Sequence, residues 1–232
     1  MPEMPEVQGL VDFLRERATG LRITRATIAN IAALKTYDPP LDTLKDATVT
    51  GAFRRGKFVD LSTDGGPHLV FHLAKAGWLR WYEQLPTTVI RPGKTPIALR
   101  IAFDDGSGFD LTEAGTKKSL AVSVVRSPED VPGIARLGPD PLDPAFGRDE
   151  FAELLAGRRT QIKGVLRDQS IIAGVGNAYS DEILHAAKMS PYALAATLSD
   201  TDITRLYDAM RATLTDDVTQ ASGRPPAELK DA

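Results

Sequence analysis

The sequence predicts an α+β protein in which a leading helix and an antiparallel β-sandwich precede an all-helical domain. Short β-rich runs with glycine-containing turns fill the first half, prolines cluster between residues 128 and 146, and apolar residues then recur at helical spacing. We therefore expect a first domain over residues 1–130, a second over 131–222, and a tail at 223–232.

The leading helix is predicted over residues 5–19, because Val7, Leu10 and Leu14 recur at helical spacing. Pro5 suits its first turn, where the missing N–H costs nothing. Turns with glycine after aspartate, such as Asp64-Gly65, are typical of hairpins, so the strands form a sandwich or a flattened barrel. The predicted strands cover residues 47–54, 58–62, 68–73, 77–82, 98–103, 108–112 and 120–125.

Helices are predicted in the second half of the chain over residues 148–156, 161–167, 178–187 and 200–221. Asp149 is the expected cap of the first, and Asp200 or Ser199 that of the last. A tight glycine-containing turn spans residues 172–177 between two of these helices, and the sequence contains no internal repeat.

Composition excludes several functional classes. The 232 residues include no cysteine and only three histidines, so thiol catalysis and cysteine-ligated zinc are excluded, and we expect neither a metal nor a cofactor. No apolar run approaches the roughly 20 residues that a membrane span needs, so no membrane partner is expected. The N-terminus does not resemble a signal peptide, which favours a cytoplasmic protein.

The net charge of −3 does not indicate a nucleic-acid partner, but positive charge is clustered locally. Each cluster is either part of a phosphate-binding patch or an ordinary solvated surface. The clusters are Arg54-Arg55-Gly56-Lys57, Lys117-Lys118, and Arg158-Arg159 with Lys163 and Arg167.

The N-terminal sequence Met1-Pro2-Glu3 carries possible chemistry. Removal of Met1 would expose a secondary amine on Pro2, and the neutral form of such an amine attacks aldehyde-like carbons. Glu3 could then move protons as a general acid or base. These residues alone favour an ordinary start sequence, and a retained Met1 would make the Pro2 nitrogen an unreactive amide.

Four motifs in one order change that interpretation. They are MPEMPEV at residues 1–7, RRGKF at 54–58, LGPDPL at 137–142 and GVGNAYSDE at 174–182. Together they resemble the Fpg/Nei family of DNA glycosylases. The resemblance implies excision of damaged, oxidised bases from double-stranded DNA in base excision repair, followed by cleavage at the abasic site through a proline Schiff base. It also implies a monomer without cofactors, acting on the bacterial nucleoid, whose β-sandwich and helix–two-turn–helix domain bind DNA in the cleft between them.

The same resemblance assigns roles to individual residues. Pro2 corresponds to the nucleophile that attacks the anomeric carbon, and Glu3 to the carboxylate that protonates the sugar ring oxygen. Glu6 corresponds to a second acid with a structural role. Lys57 corresponds to a lysine that contacts a phosphate beside the lesion and belongs with the catalytic residues. Lys163 and Asn177 correspond to further DNA contacts, where helix N-terminal amides and the Asn177 side chain can hold a phosphate. The alternative for Asn177 and the glycines is a simple turn with a helix cap.

The sequence also departs from the family pattern. Family members usually end in a four-cysteine zinc hairpin that supplies an arginine to a phosphate. This sequence does not contain it, so either the protein lacks the hairpin, which we favour, or the sequence is shortened. Lys75 stands where many members have a methionine wedge, and Lys117 and Lys118 align with the segment that normally inserts arginine and phenylalanine. The candidate substitutes for the missing arginine are Lys117, Lys118 and Arg224. Gln8 replaces a common glutamate at a position expected to be exposed.

Two other functions remain open at this stage. A damage-binding protein with weak catalysis would bind abasic duplex in a salt-sensitive way without turnover. An N-terminal-proline enzyme acting on small carbonyl compounds would not need Lys57 or Asn177. Trp78 and Trp81 are predicted to belong to the core and edge of the sandwich, and His72 is predicted to be a satisfied core histidine.

Overall fold

The computed structural model describes residues 1–91, 93 and 95–230, which form two compact units. The first unit contains Met1–Pro2, Glu6–Ala135 and the segment that begins at Ala221. The second contains Glu3–Pro5 and Arg136–Gln220. Within the described residues, no helix combines the length and the apolar character needed to cross a membrane.

The first unit contains most of the leading helix and two antiparallel sheets of four strands, ordered β1-β6-β7-β5 and β2-β3-β4-β8. Both sheets contribute to one core, where the rings of Phe71 and Phe109 lie 6.3 Å apart, so the sandwich is confirmed. The elements are α1 (Met4–Ala18), β1 (Ile23–Ile28), β2 (Val49–Arg55), β3 (Phe58–Thr63), β4 (His68–His72), β5 (Gly77–Tyr82), β6 (Ile97–Phe103), β7 (Gly108–Glu113), β8 (Ala121–Val125) and α2 (Pro132–Ala135).

All seven predicted strands are present, and β1 is an addition that the sequence did not predict. It reads Ile-Thr-Arg-Ala-Thr-Ile, and only Ile23 is buried. β1 is an edge strand whose partner strand is β6, and within the described residues only its first residue, Ile23, also exchanges main-chain hydrogen bonds with Asp46 and Ala47. Its weak alternation of apolar and polar residues follows from that position, because an edge strand buries less of each face.

Trp78 and Trp81 take the places predicted for them. Trp78 is 9% exposed and belongs to the core, and Trp81 packs against that core while partly exposed. Trp81 also meets Phe13 of α1 edge to face, with ring centroids 5.5 Å apart. Such contacts stabilise the docking of the leading helix on the sheet.

The C-terminal segment folds back onto the first unit and forms a short helix, α7 (Pro226–Leu229). The indole N–H of Trp78 donates to the Pro226 carbonyl at 2.8 Å, and Leu229 is 1% exposed. Gly9 of α1 accommodates this segment, because a Cβ there would lie 2.9 Å from both the Ala221 carbonyl and the Leu229 side chain. These residues were expected to be a tail without an element of its own.

The second unit is helical and has its own core, which includes Met4 at the start of α1. Its helices are α3 (Arg148–Leu155), α4 (Ile162–Arg167), α5 (Asn177–Ala186) and α6 (Asp200–Ala221). The capping prediction at Asp149 is wrong, since the N-cap of α3 is Gly147. Ser199 caps α6 instead of Asp200: its hydroxyl accepts from the Asp202 N–H at 3.2 Å.

Candidate functional site

The carboxylate of Glu3 is buried in the second unit and is held by main-chain N–H groups. Oε1 accepts from Ala178 at 3.0 Å, and Oε2 accepts from Gly176 at 2.6 Å and from Tyr179 at 3.3 Å. The side chain is 4% exposed. These donors lie at the start of α5, where unpaired N–H groups and the helix dipole favour a negative charge.

The glycine turn before α5 is itself braced. The Met4 N–H donates to the Gly174 carbonyl at 3.1 Å, and the Gln169 side chain accepts from the Gly174 N–H at 2.9 Å. Gln169 also donates to the Val175 carbonyl at 2.6 Å. Gly174 has φ of 89°, a conformation that favours glycine. The turn therefore presents its amides to Glu3 in a fixed arrangement.

Asn177 is the exposed first residue of α5, and its carbonyl accepts from the Ser180 hydroxyl at 2.8 Å. The amides of Gly176, Ala178 and Tyr179 bind Glu3, so they are not available to a phosphate. The predicted phosphate contact is therefore limited to the exposed Asn177, through its side chain and its own main-chain N–H. Lys163 on α4 is ion-paired, with Nζ 2.6 Å from Asp181 Oδ1.

Pro2 lines a pocket of about 230 Å³ in the first unit. Met1, Glu6, Lys75 and Lys230 line the same pocket, with residues 76–78 and Leu229 completing it. Because Met1 is attached to the Pro2 nitrogen, its removal leaves the proline amine at the pocket wall. Lys230 was missed in the sequence, since a lysine in an apparent tail carries no local signal.

Lys75 is exposed in the turn between β4 and β5. The preceding residue, Ala74, has φ of 53°, which is uncommon for a residue with a side chain. The Ala74 N–H donates to Nδ1 of His72 at 3.0 Å, so this histidine anchors the turn. His72 is thus hydrogen-bonded as predicted, but it is only partly buried and does not lie fully in the core.

Lys57 occupies a two-residue turn between β2 and β3, after Gly56 with φ of 57°. It was expected to present its charge at the surface, but the residue is only 6% exposed. Burial, and secondarily the charge of Lys57, lowers the pKa of His72 from 6.5 to about 4. The imidazole is therefore neutral at physiological pH, and its ring packs 4.7 Å from that of Phe58.

The neighbouring arginines of this hairpin have partners inside the first unit. Arg54 Nε donates to Gln8 Oε1 at 2.8 Å, and Gln8 Nε2 donates to Asp12 Oδ1 at 2.9 Å. Gln8 is thus partly buried and bonded, contrary to the expectation of an exposed position. Arg55 lies 3.5 Å from the buried Asp60. Both arginines therefore interact with polar side chains of the first unit, Gln8 and Asp60.

Lys117 and Lys118 are exposed in the loop between β7 and β8. The loop is anchored by Glu113, which the sequence did not single out. Glu113 is 1% exposed, and its Oε1 accepts from the N–H groups of Ser119 at 2.6 Å and Leu120 at 2.9 Å. Lys118 Nζ donates to the Glu113 carbonyl. An alternating strand gives no sign that one of its carboxylates will anchor the next loop.

Arg224, a candidate substitute for the family arginine, is exposed and does not line the Pro2 pocket. In the part of the chain that the structure describes, no three histidine or carboxylate side chains converge where a metal ion could be held.

Two family profiles match the chain. The formamidopyrimidine-DNA glycosylase N-terminal domain matches residues 1–118, and the formamidopyrimidine-DNA glycosylase H2TH domain matches residues 137–224. The formamidopyrimidine-DNA glycosylase of Moorella thermoacetica is 35% identical over 220 residues, which cover 92% of this chain and 77% of that protein. That of Mycolicibacterium smegmatis is 34% identical over 228 residues, covering 93% and 76%.

Solved structures agree with these matches. The crystal structure of the MutM (Fpg) protein of Thermus thermophilus superposes with a TM-score of 0.81 at 27% identity, covering 98% of this chain and 80% of that one. The complex of Lactococcus lactis Fpg with DNA containing an abasic site has the same fold, with a TM-score of 0.84 at 23% identity and coverage of 95% and 80%. The chain therefore belongs to the formamidopyrimidine-DNA glycosylase family.

Proposed function

We propose that this protein is a DNA glycosylase and abasic-site lyase that removes damaged, oxidised bases from duplex DNA during base excision repair. The observation that carries the proposal is the fixed carboxylate of Glu3, directly after Pro2 in the chain, with three main-chain N–H donors. Membership of the glycosylase family supports the reaction class.

The proposed reaction begins once Met1 is removed. The neutral Pro2 amine attacks the anomeric carbon of the damaged nucleotide, the bond to the base breaks, and the base leaves with the electron pair. The Pro2 nitrogen loses its proton to Glu3, which passes it to the sugar ring oxygen; the ring opens and the anomeric carbon becomes an iminium joined to Pro2. Loss of a proton from the adjacent sugar carbon and departure of the 3′ phosphate then break the DNA strand, and hydrolysis of the iminium releases the enzyme.

Glu3 is the proposed proton carrier for ring opening. Its amide contacts hold the carboxylate in one orientation, so no rearrangement is needed when the sugar arrives. Glu6, which lines the Pro2 pocket, keeps the structural role expected for it.

Phosphate contacts are proposed from both units. Lys57, Lys75, Lys117 and Lys118 belong to the first unit, and Lys163 and Asn177 to the second. Lys57 is mostly buried, so its contact depends on a phosphate that approaches the hairpin closely. Lys163 exchanges Asp181 for a phosphate oxygen. We retain residues 1–130 as the catalytic domain and 131–222 as the DNA-binding domain of a monomer that acts on the nucleoid in the bacterial cytoplasm.

The experiment is intact-mass spectrometry after the purified chain is incubated with abasic-site duplex and borohydride. We expect a protein–DNA adduct without the mass of Met1, with the modification mapped to Pro2. A Pro2→Gly preparation whose mass shows that Met1 is retained provides the control and should form no adduct. Absence of an adduct from the processed protein, despite measurable duplex binding, would instead identify a damage-binding protein.

A further inference from the structure

Two lysines that are distant in sequence line the Pro2 pocket. Lys75 comes from the turn between β4 and β5, and Lys230 directly follows α7. Both are exposed, and neither has a hydrogen bond or an ion pair with any residue among 1–91, 93 and 95–230. Glu6 is the one carboxylate among the pocket-lining residues. Because two lysines face one carboxylate, the pocket has a positive balance.

The position of Lys230 is set by the way its segment is held. The Trp78 indole anchors the Pro226 carbonyl at 2.8 Å, and the adjacent Leu229 is buried beside Gly9. Trp78 also lines the pocket, together with Lys230. The residue that anchors the segment is therefore itself part of the pocket wall. A lysine one residue beyond a buried leucine has its backbone fixed while its ammonium remains in solvent.

We propose that Lys230 and Lys75 form a phosphate site at the rim of the Pro2 pocket. The C-terminal segment, from Ala221 to Lys230, forms this site by holding Lys230 at the pocket. The inference rests on the proposed function for its ligand, a backbone phosphate of the DNA strand beside the nucleotide that reacts with Pro2. Two ammonium groups on one small pocket suit a phosphate as point charges that require no fixed planar geometry.

The test measures binding of duplex DNA that contains a tetrahydrofuran abasic analogue, which cannot react with the amine. Binding is followed by fluorescence anisotropy at several salt concentrations for wild type, Lys230→Ala and Lys45→Ala. Lys45 is the matched control, because it is an exposed lysine of the same unit that does not line the pocket. For Lys230→Ala we expect Kd to rise about 3–10-fold near 0.1 M salt, with the salt slope reduced by about 1.

Two further variants distinguish the charge of Lys230 from the packing of the C-terminal segment. Lys230→Arg should restore most of the affinity and the wild-type salt slope. Trp78→Phe removes the hydrogen bond to Pro226 and should reproduce part of the Lys230→Ala defect. Equal Kd and slope for Lys230→Ala and Lys45→Ala would overturn the proposal. Since the probe is inert, this result is independent of borohydride trapping, whose failure would instead refute the lyase function.

Discussion

Two buried carboxylates, one in each unit, are held by main-chain N–H groups in different ways. Glu3 uses both of its oxygens, which together accept from three residues at the start of α5. Glu113 concentrates its contacts on Oε1, and within the described residues its buried Oε2 has no hydrogen-bond partner.

The two arrangements do different things: one fixes the orientation of a carboxylate, and the other fixes the position of a loop. A carboxylate held through both oxygens cannot rotate without losing several hydrogen bonds, which suits a group that must face a reacting atom. A carboxylate held through one oxygen fixes the loop that donates to it, while its second oxygen contributes nothing to that contact. The contacts of Glu3 therefore support its proposed role in the chemistry, whereas those of Glu113 hold the loop that carries Lys117 and Lys118.

The largest expected effect separates these two roles directly. Glu3→Gln cannot carry the proton and presents an amide NH₂ to N–H donors, so the single-turnover trapping rate at saturating abasic duplex should fall about 10²–10⁴-fold. Glu113→Gln should stay within about threefold of wild type, because its carbonyl can still accept at the Oε1 position. Equal losses in the two variants would contradict the comparison.

Glu113 is expected to matter for stability. Glu113→Ala leaves the N–H groups of Ser119 and Leu120 without their acceptor, which should lower the free energy of unfolding by about 3–4 kcal/mol. Glu113→Gln should cost less than about 1 kcal/mol. Urea unfolding followed by tryptophan fluorescence measures this, since both tryptophans, Trp78 and Trp81, lie in the first unit. Similar losses of unfolding free energy in Glu113→Ala and Glu113→Gln would show that the loop is anchored by the negative charge of Glu113 and not by its hydrogen-bond acceptor.

His72 extends the comparison to a partly buried group that is neutral. Its pKa is lowered from 6.5 to about 4, so between these values the unfolded chain binds more protons than the folded one. The neutral His72 therefore contributes fully to the free energy of unfolding above about pH 6.5. This contribution, at most about 3 kcal/mol, is lost as the pH falls from 6.5 towards 4. Urea unfolding across this window should show a steeper decline for wild type than for His72→Gln. Parallel curves would rule out the effect.

The smallest effect concerns an exposed carboxylate. Asp181 pairs with Lys163 at 2.6 Å, but both side chains are partly in solvent. Asp181→Asn should change the free energy of unfolding by less than about 1 kcal/mol, while the freed Lys163 raises duplex affinity about twofold to threefold. Anisotropy titrations check this against Asp149→Asn, another exposed acid. An equal gain in both variants would indicate only a general change in net charge.

The regular elements were predictable because local periodicity determines them. Helices at 148–156 and 200–221 were placed to within one residue, since each buries one clear stripe. β1 and α7 were missed for the opposite reason. β1 buries little of its surface, and the two prolines at the start of α7, Pro225 and Pro226, are typical of a linker until Trp78 and Gly9 contact the segment.

The site was predictable only where residues carry a motif. Pro2, Glu3 and Asn177 lie in motifs, whereas the contact of Glu3 with the α5 amides joins residues 173 or more positions apart. Glu113 and Lys230 have no motif, because their partners are brought together by tertiary packing. The occupation of three turn amides by Glu3 was not foreseen for the same reason, since the sequence does not show that an internal carboxylate reaches them.

The contact between Glu3 and Gly176 also has a consequence during synthesis. At ribosomal rates of about 5–20 residues per second, about 9–35 s pass between the emergence of Glu3 and that of its first amide partner, 173 residues later. The removal of Met1 that the proposed reaction requires would therefore act on an N-terminus whose neighbouring carboxylate is still unbound. The completed glycine turn encloses Glu3 only later.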